Sequence, residues 1–387
     1  MAFPVARALS LAGHQVHAGV SIYSNYLEWS RYVDKWFAHE ALEPGTDEAL
    51  PKIMAWLENH PEIDTIQPVS EAGARFVARH FEPLSAFGKI ISPGKAIVDK
   101  AYDKTGMFEF IHSLGGPVAP FRAITNLDEL AEAIESIGYP FILKPSKVDA
   151  YIFGEKALIL ETAADLDAKF PHWPDIHPEL ILQRYLTGFR HSVIFSALAG
   201  KLLGAVEICA ARTHINNGTG NTTYGITVTP TPVIRKSVED TVAALNYSTT
   251  GCLQYLVSDT TGEITFMELN PRVSLARLAE CAGLPHSEWG LAMTHGEAFE
   301  PFEEPWSLPP GVEYVWTRGE IMLLTGLLKR GEIGLGEFTS RLGRALADIP
   351  RCYHAIFDPV DVLPAIGVYG NKIIAPVRKA LTGRQMG

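Results

Sequence analysis

The stretch Phe266–Ser274, FMELNPRVS, sets a carboxylate, an amide and a guanidinium on alternate positions: Glu268, Asn270 and Arg272. Alternation is the period of a β-strand, so the three side chains share one face. Gln254 lies upstream in LQYLVS, and the turn residues Asp259–Gly262 make the two segments a hairpin that brings Gln254 alongside. Amide and carboxylate oxygens are hard donors suited to Mg²⁺, which takes one or two protein carboxylates beside phosphate oxygens and water. Arg272 next to them would meet an anion. A metal, an anion clamp and no nucleophile together point to phosphoryl transfer, where the protein positions groups and neutralises charge.

The elements that must carry these groups follow from the rest of the chain. Its 387 residues are enough for two or three domains, and 47% hydrophobic with 20% charged residues is normal for a globular protein with a core. The net charge of −11 repels phosphate backbones and argues against a nucleic-acid partner. No apolar run approaches the roughly 20 residues of a membrane helix. Cys209, Cys252, Cys281 and Cys352 are far apart, without metal-ligand spacing, and read as reduced thiols of a cytosolic protein.

Strands alternating with helices over residues 1–94 predict a Rossmann-like parallel sheet domain, although the chain opens on a helix where such a fold opens on a strand and a glycine-rich turn. IDTIQPVSE and KIISP are two of its strands, and Glu71 opens a helix after the first. DKTGMFEFIHSLGGPVAP then reads as an amphipathic helix stopped at Gly115 and Gly116. YPFILKPS reads as a strand ending on Lys144, and ELILQRYL and HSVIFSALAGKLLGAVEI as further strands. ARTHINNGTGNTTYG is polar and glycine-bearing and is expected to be a long functional loop, with Arg212 and His214 as weak candidates for an anionic substrate. A proline-rich link, FEEPWSLPPG, leads into two helices and a mixed C-terminal segment.

LQYLVSDTTGEITFMELNPRVS closely resembles the metal-binding hairpin of ATP-grasp enzymes, in particular the ATP-binding domains of carbamoyl-phosphate synthetase and biotin carboxylase. The resemblance runs over about 95–290 in the right order. It implies an ATP-grasp fold of two α+β subdomains with ATP between them, residues 140–186 forming a mobile lid, followed by a C-terminal extension over 291–387. It also implies that Gln254, Glu268 and Asn270 hold two Mg²⁺ ions, with Mn²⁺ able to substitute, and that Arg272 contacts the phosphorylated intermediate. Lys104 and Lys144 would reach ATP phosphates. Gln183, Arg184 and Leu186 in LILQRYL would meet adenine, and His191 the ribose. One departure stands out: the segment after the lysine strand, SKVDAYIFGEK, has Gly154 alone where the family has a glycine-rich loop, leaving Ser146, Lys147 and Tyr151 as candidates to cover the nucleotide.

The expected function is therefore an ATP-dependent, ADP-forming carboxylate–amine ligase working through an acylphosphate. Its expected partners are a small carboxylic acid and an amine or amino acid, with a homodimer as the candidate assembly, in the cytoplasm. The alternatives are phosphorylation of bicarbonate or carbamate, and nucleotide binding without catalysis.

Overall fold

The computed structural model describes residues 2–21, 26–43, 45–147, 149–213 and 220–368. The N-terminal part runs α1 (Ala2–Leu11), β1 (His17–Val20), β2 (Lys35–Ala38), α2 (Leu50–Glu58), β3 (Thr65–Ile66), α3 (Glu71–Arg79), α4 (Phe81–Ser85) and β4 (Lys89–Ile90). Its pairings are parallel, as expected, but β1–β2 and β3–β4 form two separate two-stranded sheets. A single doubly wound sheet is not formed among the described residues. β3 and β4 are only two residues long, and β2, KWFA, is a strand that the sequence reading missed.

Two helices, α5 (Lys95–Ala101) and α6 (Lys104–Ser113), lead into the smaller of two larger sheets. β5 (Phe121–Ile124), α7 (Leu127–Ile137), β6 (Phe141–Pro145), β7 (Leu158–Leu160), α8 (Ala163–Asp167) and β8 (Leu180–Arg184) follow, with strand order β5-β8-β6-β7. This sheet draws in β5, so it begins well before the 140 expected for the lid. Side-chain caps start its helices: Asp103 accepts from Gly106 N at α6, and Asn126 from Glu129 N at α7.

The larger sheet is built from β9 (Gly188–Leu198), β10 (Lys201–Thr213), β11 (Thr222–Val228), β12 (Thr249–Ser258) and β13 (Ile264–Asn270), with α9 (Pro232–Ala244) between β11 and β12. After α10 (Ala276–Cys281) and α11 (His286–His295), the C-terminal part adds β14 (Glu313–Val315), α12 (Thr317–Lys329), α13 (Leu335–Asp348) and β15 (Tyr353–His354). The order is β13-β12-β9-β10-β11-β14-β15, so the C-terminal extension completes the main sheet. Of the loop expected over 211–225, most of the described residues are strand, since β10 runs to Thr213 and β11 starts at Thr222. Thr222 and Thr223 of this stretch are buried, bonded to Arg190 and Glu320. His214 lies outside the described residues.

Both faces of the main sheet are buried. Val193, Phe195, Leu253, Tyr255 and Phe266 pack against Phe108 and Ile111 of α6 and Ile234 and Val238 of α9. Ile194, Val206, Ile208 and Cys252, of opposite parity, pack against Leu278, Leu284 and Trp289. None of the described helices is long and apolar enough to cross a membrane.

The link between the two larger sheets is only three residues, and Gly188 at its end carries φ +153°, with the position of a Cβ lying 2.0 Å from Val257 O. Gly188→Ala should therefore lower stability by about 1–3 kcal/mol through strain and displacement of the β9–β12 pairing. Gly262→Ala, in the open β12–β13 turn with nothing within 4 Å, should cost less. Thermal denaturation of the two variants checks this; equal losses would show that the link tolerates a side chain.

Candidate functional site

The β12–β13 register places Gln254 directly opposite Glu268 and Cys252 opposite Asn270. A bulge makes this possible. Gln254 faces Glu268 but Tyr255 faces Phe266, so Met267 is an extra residue on β13. Phe266 and Glu268 have the same parity and would share a face on a regular strand. With Met267 inserted, Phe266 stays with Tyr255 in the α6/α9 core while Glu268 turns to the other face beside Gln254. Asn270 Nδ2 donates to Glu268 Oε1 at 2.8 Å, and Arg272 Nη2 donates to Asn270 Oδ1 at 2.9 Å. The four residues singled out from spacing are thus one contiguous group.

Two lysines from the other side complete it. Lys104 opens α6, directly after the capping residue Asp103, and its ammonium donates to Pro145 O at 3.3 Å. Lys144, on β6, donates to Gln183 Oε1 at 3.0 Å and sits 4.6 Å from the centre of the Phe108 ring. Burial lowers both ammonium groups. For Lys144 burial and the neighbouring Lys104 bring the value down to about 7, although Glu268 pulls in the opposite direction. Lys104 is lowered by burial, against the pull of Glu268 and Glu71. Gln183 is buried, with Nε2 lacking a partner. Tyr102 and Glu71 also belong here: burial pushes the Tyr102 phenol up to about 12, with Arg272 opposing and Glu71 reinforcing.

Arg190 and Ser192 are site residues that the sequence reading missed. Ser192 pairs with Gln254 across β9–β12, so it shares the face of Gln254 and Glu268, and its buried Oγ has no partner. Arg190, two residues earlier on the same face, donates to Gly220 O at 2.5 Å and Thr222 Oγ1 at 2.9 Å. Burial lowers its guanidinium, with Glu268 acting against that. The available signal was parity: Arg190 and Ser192 alternate on the strand next to Gln254.

Other expected residues are placed differently. His191 lies one residue out of phase, on the α9 face, and contacts Glu207 at 2.6 Å. Burial opposes its charging, but Cys209 and Glu207 outweigh this and push it up to about 9. His191 is therefore not brought to the Gln254–Glu268–Asn270 group. Arg212 is engaged by Glu320 at 2.8 Å and Asp348 at 2.5 Å and lies over the Tyr224 ring, so it ties the C-terminal helices to β10 rather than facing a substrate. Arg184 pairs with Glu263, and its N–H donates to Pro120 O at 2.9 Å. Leu186 lines a cavity of about 300 Å³ with Tyr185, Thr187, Thr260 and Thr261. In the segment after β6, Ser146 is buried against Thr105 at 2.8 Å, Lys147 pairs with Asp103 at 3.2 Å, and Asp149 pairs with Arg75 at 2.8 Å. Tyr151 is half exposed, with Lys156 near its ring.

Chemically the group fits a magnesium nucleotide. Two part-buried cations whose charge is disfavoured by their burial gain from an anion, and among the described residues Lys144 has a neutral amide as its hydrogen-bond partner. The donor oxygens of Gln254, Glu268 and Asn270 are the hard set that Mg²⁺ takes. Asn270 Oδ1 is held by Arg272 here, so a cation on that oxygen requires the guanidinium to move off it.

Residues 103–300, just over half of the chain, match the family model of the carbamoyl-phosphate synthase L chain, ATP binding domain. The N-terminal section of the carbamoyl phosphate synthase large chain of Aquifex aeolicus is 23% identical over 252 residues, covering 60% of this chain and 44% of that one. The chain thus spans less than half the length of this curated relative. Among solved structures, biotin carboxylase of Campylobacter jejuni in an ATP complex superposes with TM-score 0.62 at 19% identity, covering 81% of this chain and 72% of that one. N5-carboxyaminoimidazole synthetase of Staphylococcus aureus complexed with ADP gives 0.59 at 16% identity, covering 77% and 75%. At such identities the structural likeness is one of fold. With the hairpin of Gln254, Glu268 and Asn270 and the two lysines inside the matched region, the chain belongs to the carbamoyl-phosphate synthase large-chain ATP-binding domain family, and so to the ATP-grasp enzymes.

Proposed function

We propose that this chain is an ATP-dependent, ADP-forming ligase that joins a carboxylic acid to an amine. The observation that carries this is the register of Glu268 with Gln254 and Asn270 beside two buried lysines that both feel the Glu268 carboxylate. Gln254, Glu268 and Asn270 would hold magnesium, which neutralises the β- and γ-phosphate oxygens when bound. Lys104 and Lys144 would grip phosphate. Gln183, Leu186 and the backbone around Arg184 would meet the adenine at the link between the sheets.

The substrate's carboxylate oxygen attacks the γ-phosphorus, the bond to the β–γ bridging oxygen breaks, and ADP leaves. Arg272, next to Asn270, would stabilise the charge on the acylphosphate. The amine nitrogen then attacks the acyl carbon and loses a proton, and phosphate departs. Splitting the reaction turns a poor leaving group into a good one, and no protein nucleophile is needed. Residues 146–156, anchored through Asp103 and Arg75, would exclude water from the intermediate. A second reading has the family match in its favour: the acid is bicarbonate or carbamate, and the intermediate carboxyphosphate or carbamoyl phosphate.

Hydroxylamine should trap an organic acylphosphate as a hydroxamate that requires both ATP and the acid, with ADP as the nucleotide product. ADP release driven by bicarbonate alone would favour the second reading, and AMP with pyrophosphate would overturn both. Glu268→Gln should lower turnover by about a hundredfold or more, because it removes the carboxylate of the ligand set. Turnover near wild type would refute the assignment.

Lys144 makes a further test of the nucleotide reading. Free of ligand it is half protonated near pH 7, so at pH 8 it is mostly neutral. Phosphate oxygens beside it raise that value, so binding ATP at pH 8 must take up a proton, whereas at pH 6 the amine is already charged and uptake should vanish. Calorimetry in buffers of different ionisation enthalpy should show this uptake in the wild type and its loss in Lys144→Met. Equal uptake in both proteins would remove Lys144 from the phosphate site.

A further inference from the structure

Away from the ATP-grasp site, the N-terminal part brings together a second set of ligating side chains. His17 is the first residue of β1, opposite Lys35 on β2. His60 follows the end of α2, and Glu62 lies two residues further, before β3. One donor atom from each of the three lies within 4.8 Å of the others. His17 Nε2 is 3.9 Å from Glu62 Oε1.

Two features of this group call for a ligand. The His17 side chain is 7% exposed; its Nε2 faces Glu62, and its Nδ1 is buried with no hydrogen-bond partner among the described residues. An orphaned buried ring nitrogen is uncommon in a folded protein. His60 contacts Trp56 O through Nδ1 at 2.9 Å, which fixes that nitrogen as the donor and leaves Nε2 as a lone-pair ligand. A metal-bound imidazole is normally oriented by just such a bond from its other nitrogen to a carbonyl.

Packing alone accounts for part of this arrangement. His60 stacks on Trp56 at 3.8 Å, and Trp56 stacks on Phe37 at 4.8 Å. That stack explains the position of His60 but gives His17 Nδ1 no partner and does not require a carboxylate at 62. Glu62 is paired with Lys35 at 2.8 Å, but both side chains are well exposed and such pairs are weak.

We propose that His17, His60 and Glu62 bind one divalent transition-metal ion of the zinc type. Two imidazoles and one carboxylate form the three-ligand set of an open zinc site, with water in the remaining position. Donors around a tetrahedral zinc ion stand about 3.3 Å apart, so closure needs only side-chain adjustment. Glu62, the exposed member, swings from Lys35 to the ion, while the strand and the Trp56 stack hold the two rings. The ligand set has one carboxylate and two nitrogens, so it selects zinc-type ions over the magnesium preferred by the oxygen set around Glu268.

The test uses chelator-stripped full-length protein without nucleotide, titrated with Zn²⁺ by calorimetry. The wild type should bind one ion saturably, and Zn²⁺ should raise its melting temperature. His17→Gln and Glu62→Gln should each weaken binding by more than the roughly tenfold that loss of a mere outer-shell partner costs. Their melting temperatures should no longer respond to zinc. Glu62 is exposed, so its variant keeps the fold and remains informative even where His17→Gln does not. Glu268→Gln should bind Zn²⁺ as the wild type does. Absence of saturable 1:1 binding, binding undiminished in Glu62→Gln, or binding lost in Glu268→Gln would each overturn the site.

Discussion

One extra residue, Met267, decides which way the chemistry of this protein faces. A carboxylate two residues from a core phenylalanine should point into the same core. The bulge breaks that relation: Phe266 remains against Tyr255, and Glu268 turns to Gln254. Leu269 then returns to the core face opposite Leu253, and Asn270 follows Glu268. The site depends on this local irregularity, because Lys104 of α6 and Lys144 of β6 can meet the Glu268 carboxylate only while it is outside the core. Sheets commonly place bulges where a side chain has to be re-aimed for function.

The second constraint is electrostatic. Burying Lys104 and Lys144 near one another disfavours charge on both, and Glu268 offsets only part of that cost. The lysine held at about 7 is poised to become fully charged when an anion arrives. Arg190 adds a third buried cation on the same carboxylate, tethered by the carbonyl of Gly220 and the hydroxyl of Thr222. The surplus of positive charge around Glu268 and Glu71 is what a polyphosphate needs, in a chain whose net charge is −11.

How much of this was readable in the sequence depends on the range of the interaction concerned. Glu268 and Asn270 were legible because alternation puts them on one face, whereas the placing of Gln254 beside them rests on the Met267 bulge, which alternation does not predict. Lys104 and Lys144 were legible through their order and their positions at a helix start and a strand. His191 was not: one residue of phase separates it from Ser192, and its partner Glu207 sits on another strand. Arg212 was misjudged for a related reason, since its carboxylate partners lie 108 and 136 residues away. The stretch around it looked like a loop because it is polar, yet Thr222 and Thr223 are buried hydrogen-bonding members of β11. The N-terminal sheets were misread because two-residue strands carry too little pattern to tell which of them pair.

These long-range pairs give the C-terminal extension its place in the protein. β10 holds Glu207 on one side and Arg212 further along. Glu207 accepts from His191 of β9 and from the N–H and hydroxyl of Thr231, where α9 begins. A buried carboxylate at a helix start is stabilised by the orphan N–H groups there. Arg212 reaches Glu320 of α12 and Asp348 of α13, and Thr223 of β11 shares the Glu320 carboxylate at 2.5 Å. Glu320 and Asp348 are almost fully buried, so removing Arg212 would leave Glu320 without a cation and Asp348 with the exposed Arg351 alone, a situation far costlier than never having had the pair. β14 and β15 extend the same sheet beyond β11. The extension thus braces β10 and β11, and through β10 it sets the position of β9, the strand that carries Arg190 and Ser192 to the site.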